Sequence, residues 1–100
     1  MKKYSPKTLD EAVRIILDIL TTEQKEELKS NSESGLEVFH FTFGMWIRNN
    51  FIYGNKNAWE LKRSIIDNPE EFLFVHPDNI SDLIIKAVWE ALQQHSNLEP

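Results

Sequence analysis

Fourteen consecutive residues, Val38 to Phe51 (VFHFTFGMWIRNNF), constrain this chain more than any other stretch. Four of the six phenylalanines and one of the three tryptophans fall inside it. The segment is apolar on almost every side, so it belongs in the middle of a domain, and its polar residues His40, Arg48 and Asn49 must find partners there. Phe39, Phe41 and Phe43 alternate with His40 and Thr42, a pattern that alone suggests a strand. The longer window points instead to a central helix over about residues 36–53. It is too long for an ordinary strand, holds no proline and ends at Gly54, a usual residue just past a helix. Spacing by four then lines Phe39, Phe43, Ile47 and Phe51 along one side, with His40, Gly44 and Arg48 on the adjacent row.

Helical signals flank this stretch. Thr8-Leu9-Asp10-Glu11 reads as a capping box, and Leu9, Ala12, Val13, Ile16, Leu17 and Leu20 follow the apolar face of a helix without a miss. Thr21-Thr22-Glu23-Gln24 restarts the chain with a second capping signal, opening a polar helix in which Leu28 is the clear apolar residue. Asn57 is expected to cap a helix bearing Leu61, Ile65 and Ile66. Asn68-Pro69-Glu70-Glu71 starts a short turn, and Val75-His76-Pro77 should be extended because a residue before proline avoids the α region. In the last helix, with Asp78 as its natural cap, Ile80, Leu83, Ile84, Ala87, Val88, Ala91 and Leu92 fit the helical template, and the tail should fray from Gln94. The expected fold is all-α: one compact domain over residues 1–100, ordered from about 6 to 94, with four main helices, short helical turns and the 36–53 helix at its centre.

Charge and composition narrow the function. The formal charge is −5, but residues 1–66 carry ten Lys/Arg against nine Asp/Glu, whereas residues 67–100 carry only Lys86 against seven acidic residues, a balance of −6. No cluster of basic residues is present to neutralise a phosphate backbone, so direct nucleic-acid binding is not expected; the acidic end either suits a protein partner with a basic surface or is a solvated face that only keeps the protein soluble. There are no cysteines, which removes disulfides, thiolate metal sites and thiol nucleophiles. Met1-Lys2-Lys3-Tyr4-Ser5-Pro6 leads into no signal-peptide core, and Asp10, Glu11, Arg14 and Asp18 interrupt the first apolar run, so the expectation is a cytoplasmic protein with no membrane span.

The residues with chemical potential fall in two groups. Gly44 inside a helix is unfavourable by about 0.5–1 kcal/mol against alanine, which calls for close approach of another helix or a ligand. Arg48, between Ile47 and Phe51, must be paired if buried, and Asp78 is the candidate partner with Asn49 as a second polar contact. That group serves either as an ion pair that fixes helix register or as an arginine waiting for a carboxylate or phosphate. The second group is His76-Pro77-Asp78-Asn79-Ile80-Ser81, where His76 is in reach of the surroundings of Arg48. A metal site would need His40, His76 and Asp78 to converge and is not expected, nor is a catalytic triad from Ser81, His76 and Asp78, whose proximity on one helix start does not give nucleophile–base geometry. No phosphate loop or zinc-protease motif is present, and no cofactor or catalytic residue is assigned. The candidate ligand- or partner-binding residues are therefore His40, Arg48, Asn49, His76, Asp78 and Ser81.

The pattern His40-x3-Gly44-x2-Ile47-Arg48-Asn49-x-Phe51, followed by His76-Pro77-Asp78-x2-Ser81 and an apolar helix with Trp89, resembles an uncharacterised family of short bacterial domains of unknown function. The likeness spans roughly Leu9 to Leu92. It implies a fold type and a polar unit made of His40, Arg48, Asn49, Asp78 and Ser81, without naming a reaction. The function expected on these grounds is a small acidic, non-enzymatic interaction protein of inhibitor or immunity type. The alternative is a small-ligand binder or enzyme built on the Arg48/Asp78 cluster, and self-association into a homodimer through exposed aromatics is a third course.

Overall fold

Several of the helices begin where a side chain takes up orphaned backbone amides. The structure, a computed structural model, describes the backbone of residues 4–98 and the side chains of residues 4–94; the expectation drawn from Met1-Lys2-Lys3 lies outside the described residues. In α1 (Leu9–Ile19) the Thr8 hydroxyl accepts from the Glu11 amide, while the Glu11 carboxylate reaches the amide of Lys7 at 2.6 Å rather than that of Thr8. α2 (Thr22–Lys29) opens with a complete capping box between Thr21 and Gln24. α4 (Ala58–Ile65) departs from expectation at its start: the Asn57 side chain makes no cap and instead donates to the carbonyl of Ser5 at 3.0 Å. α5 (Pro69–Phe74) has Asn68 accepting from the amides of Glu70 and Glu71 ahead of the helix-initiating proline.

The last described element is α6 (Pro77–Leu98), the longest helix among the described residues, against which α1, α2 and α4 pack. It runs past the expected end near Gln94 to Leu98. Asp78 is not its cap. It sits in the first turn, and His76 Nδ1 accepts from the Asp78 amide at 3.0 Å in that role. Ile80, Ile84, Ile85, Val88 and Leu92 form its buried stripe, and Leu83, expected on the same stripe, is exposed. The buried side joins Ala12 and Ile16 of α1, Leu28 of α2 and Leu61 of α4 in one core. Two side chains of α6 also hold the end of α2 and the loop after it: Trp89 Nε1 donates to the carbonyl of Asn31 at 2.8 Å, and Gln93 Nε2 to that of Lys29. At 22 residues α6 has the length to span a bilayer, but Asp78, Asp82, Lys86 and Glu90 lie along it, and among the described residues no helix is long and apolar enough to cross a membrane.

The central stretch is helical but is not one helix. Ser34–Phe39 forms a 3₁₀ turn, residues 40–42 bend, α3 (Phe43–Ile47) follows, and Arg48–Tyr53 continues as a π-helix. No strand forms there: Phe39 and Phe43 are half-buried and Phe41 faces solvent. Widening a helix from i→i+4 to i→i+5 bonding redirects carbonyls, and two asparagine side chains meet carbonyls four residues back. Asn50 Nδ2 donates to Trp46 O at 2.8 Å, and Asn55 Nδ2 to Phe51 O at 3.0 Å. Asn55 is buried, and its amide also donates to the carbonyl of Pro6, fastening the segment before α1 over the π-helix. Among the described residues no buried side-chain nitrogen or oxygen lacks a partner.

Candidate functional site

The sequence-derived candidates meet where the bend at residues 40–42 and the start of the π-helix press against the first two turns of α6. Arg48 is 8 % exposed. A guanidinium in that position has to satisfy its donors within the protein. Its Nη1 donates to Ser81 Oγ at 2.8 Å, its Nη2 to the carbonyl of His40 at 3.3 Å, and its Nε lies 3.4 Å from Asp78 Oδ1. Ser81, fully buried, passes its own proton to the carbonyl of Asp78 at 2.9 Å. Arg48 thus ties three stretches of chain together by side chain and backbone at once. Gly44 makes the space. A Cβ there would stand 3.0 Å from Arg48 Nη1 and 3.6 Å from both Ser81 Oγ and the Phe39 carbonyl.

This geometry gives a test on stability. Gly44→Ala would ordinarily favour a helix by about 0.5–1 kcal/mol. Here Nη1 would have to give way while bonded to Ser81, so we expect Gly44→Ala to lower stability by about 1 kcal/mol. The same change made on an Arg48→Ala background should reverse sign and stabilise, read by urea denaturation of the four proteins. Equal effects in both backgrounds would refute the packing role.

His40 lies beside the clamp and closer to solvent. Its Nδ1 is 2.9 Å from Asp82 Oδ1, and its Nε2 is 3.7 Å from Asp78 Oδ2. Asp78 therefore sees both Arg48 and His40, while its neighbour one turn on, Asp82, holds the ring of His40. Among the described residues no group of three or more His, Asp or Glu is arranged to hold a metal ion. His76 does not reach Arg48; it is exposed, and beyond capping α6 its Nδ1 stands 3.6 Å from Asp78 Oδ1. Asn49 is apart from the cluster. It is exposed, and no hydrogen bond links its side chain to the other candidates among the described residues. The turn of the π-helix carries it outward while keeping Arg48 inward.

Asp82 is the member that sequence reading missed, being assigned to the wet face of the last helix. The signal was present in the spacing, because Asp78 and Asp82 are one helical turn apart and project from the same side. The exposed apolar residues around the bend were also not legible one by one. Val38 is 68 % exposed, Phe41 75 % and Met45 51 %. Residues of the same stretch help to line two grooves, and Phe41 itself lines the second. One, about 450 Å³, is lined by Ile19, Leu28, Phe39, Phe43 and Trp46 among others. The other, about 700 Å³, is lined on its two sides by Glu33, Leu36 and Glu37 and by Asp82, Ile85 and Lys86, with His40 and Phe41 at the bend.

A family model described as Domain of unknown function (DUF6794) matches residues 5–92. Comparison with curated proteins and with solved structures gave no match.

Proposed function

We propose that this chain, which belongs to that family, is a small non-enzymatic protein-interaction module, of inhibitor or immunity type, whose contact face is the bend at residues 38–45. The exposure of Val38, Phe41 and Met45, with Phe41 lining a groove, carries the reading. Large apolar side chains exposed along one short stretch of chain are favoured contact groups, and aromatic and methionine side chains are enriched at interfaces. The acidic balance of residues 67–100 favours a partner with a basic surface. The alternative, a ligand site built on Arg48 and Asp78, has less support, because the three nitrogens of Arg48 already face Ser81, His40 and Asp78.

Photocrosslinking tests the reading. With p-benzoylphenylalanine in place of Phe41, irradiation of cells of the natural source should give one discrete adduct. The same probe at Asp18, exposed on α1, should give none, and Val38→Ser with Met45→Ser should abolish the adduct from position 41. An adduct of twice the chain mass would identify a second copy as the partner. Absence of any adduct from position 41, or one insensitive to the two serine changes, would overturn the assignment.

A further inference from the structure

The groove between the 3₁₀ turn and α6 has a composition that selects its occupant. Its floor is apolar, made by Leu36 and Ile85, both buried. Its walls are acidic: Glu33 and Glu37 on the 3₁₀ side and Asp82 on α6. Phe41 stands at the end with its ring open to solvent, and the ring of His40 meets it edge-on at 5.0 Å between centroids. Asp82 uses Oδ1 for His40, and among the described residues no hydrogen bond engages its Oδ2. The groove's own cation, Lys86, extends along this wall to within 3.8 Å of Glu33 Oε2. Three carboxylates against one ammonium leave the lining net negative.

We infer that this groove seats an arginine side chain supplied by a partner protein, an assignment that rests on the interaction reading above and specifies its chemistry. A long apolar stem with a cationic head matches an apolar floor flanked by carboxylates. Arginine fits better than lysine for two reasons. Its planar fork bonds a carboxylate through two donors, and its flat cation stacks on an exposed aromatic ring such as Phe41. Lys86 marks where a cation is tolerated and competes with the incoming one for Glu33.

The probe is N-acetyl-arginine amide, titrated into the full ¹⁵N-labelled chain and followed by amide chemical shifts. Shifts should concentrate at residues 33–41 and 82–86. The neutral isostere N-acetyl-citrulline amide should produce about tenfold smaller changes at the same concentration. Glu37→Gln, an exposed change remote from the core, should weaken binding about threefold, and Lys86→Ala should strengthen it about threefold, as expected for single charge contacts at a partly exposed site. Shifts scattered over all of α5 and α6, a citrulline response equal to that of arginine, or affinities unchanged in both variants would each overturn the assignment. The crosslink from position 41 fails or succeeds independently. An adduct without arginine binding removes the groove and leaves the interaction face, whereas arginine binding without an adduct does the reverse.

Discussion

Arg48→Ala should lower unfolding free energy by about 2–4 kcal/mol, which for a domain of this size moves the melting temperature down by about 10–25 °C. Hydrogen bonds to a charged group are each worth about 1.5–3 kcal/mol, and removing one member of a buried ion pair typically destabilises by about 3–5 kcal/mol. The lower figure applies here because Asp78, with 42 % of its side chain exposed, recovers hydration when the guanidinium is gone. Ser81 keeps the bond it donates to the Asp78 carbonyl, so the acceptor side of its hydroxyl, the His40 carbonyl and the vacated volume are left to readjust. Arg48→Lys should recover less than half of the loss, since an ammonium cannot reach Ser81 and the His40 carbonyl together as a fork does. A double-mutant cycle of Arg48→Met with Asp78→Asn should give a coupling of about 1–2 kcal/mol by urea denaturation. An Arg48→Ala protein within about 0.5 kcal/mol of the parent would remove the clamp from the account of this fold.

The clamp also shows which parts of the molecule were legible in the sequence. α1 and α6 were, because a helix lying on a core must repeat its apolar residues at i, i+3 and i+4, and Ala12, Ile16, Ile80, Ile84 and Val88 do so and are buried. The caps at Thr21 and Asn68 were legible because a short polar side chain followed by an acid or amide has few other local uses. The break at residues 40–42 was not, since no glycine or proline marks it. Its cause is tertiary: His40 turns to Asp82, 42 positions away, and its carbonyl receives Arg48 from the next segment. The π-helix was equally hidden, because a change of one residue in hydrogen-bond register leaves no compositional trace. Nothing in the sequence sets its supporting asparagines, Asn50 and Asn55, apart from the others. For the site, pairing Arg48 with Asp78 followed from the rule that a buried charge needs a partner, whereas Asn49 followed only from adjacency, and adjacency on a helix points a side chain elsewhere.

Phe51→Ala carries the other large expected effect, about 3–5 kcal/mol, because the ring is wholly buried and its removal leaves a cavity that an aromatic cluster cannot close by small shifts. Phe51 lies on the π-helix, and its ring meets Trp46 at 5.3 Å and Tyr4 at 6.1 Å between centroids, both near edge-on, with Tyr4 in turn 5.8 Å from Trp46. The three rings hold the segment before α1 against the centre of the fold, and the bonds of Asn55 to Pro6 and Asn57 to Ser5 reinforce the same attachment. The loss should therefore be felt at both ends of this contact. Amide exchange should accelerate at Leu9, whose N–H bonds to Ser64 Oγ, and near-ultraviolet circular dichroism from Trp46 should weaken even where α6 stays helical. Phe51→Leu, which keeps most of the volume, should destabilise by only about 1–2 kcal/mol. If Phe51→Ala lost less than about 1 kcal/mol, the π-helix would be a surface feature of this fold; a loss of the expected size makes it the element through which the amino-terminal segment and the Arg48 clamp are held to one core.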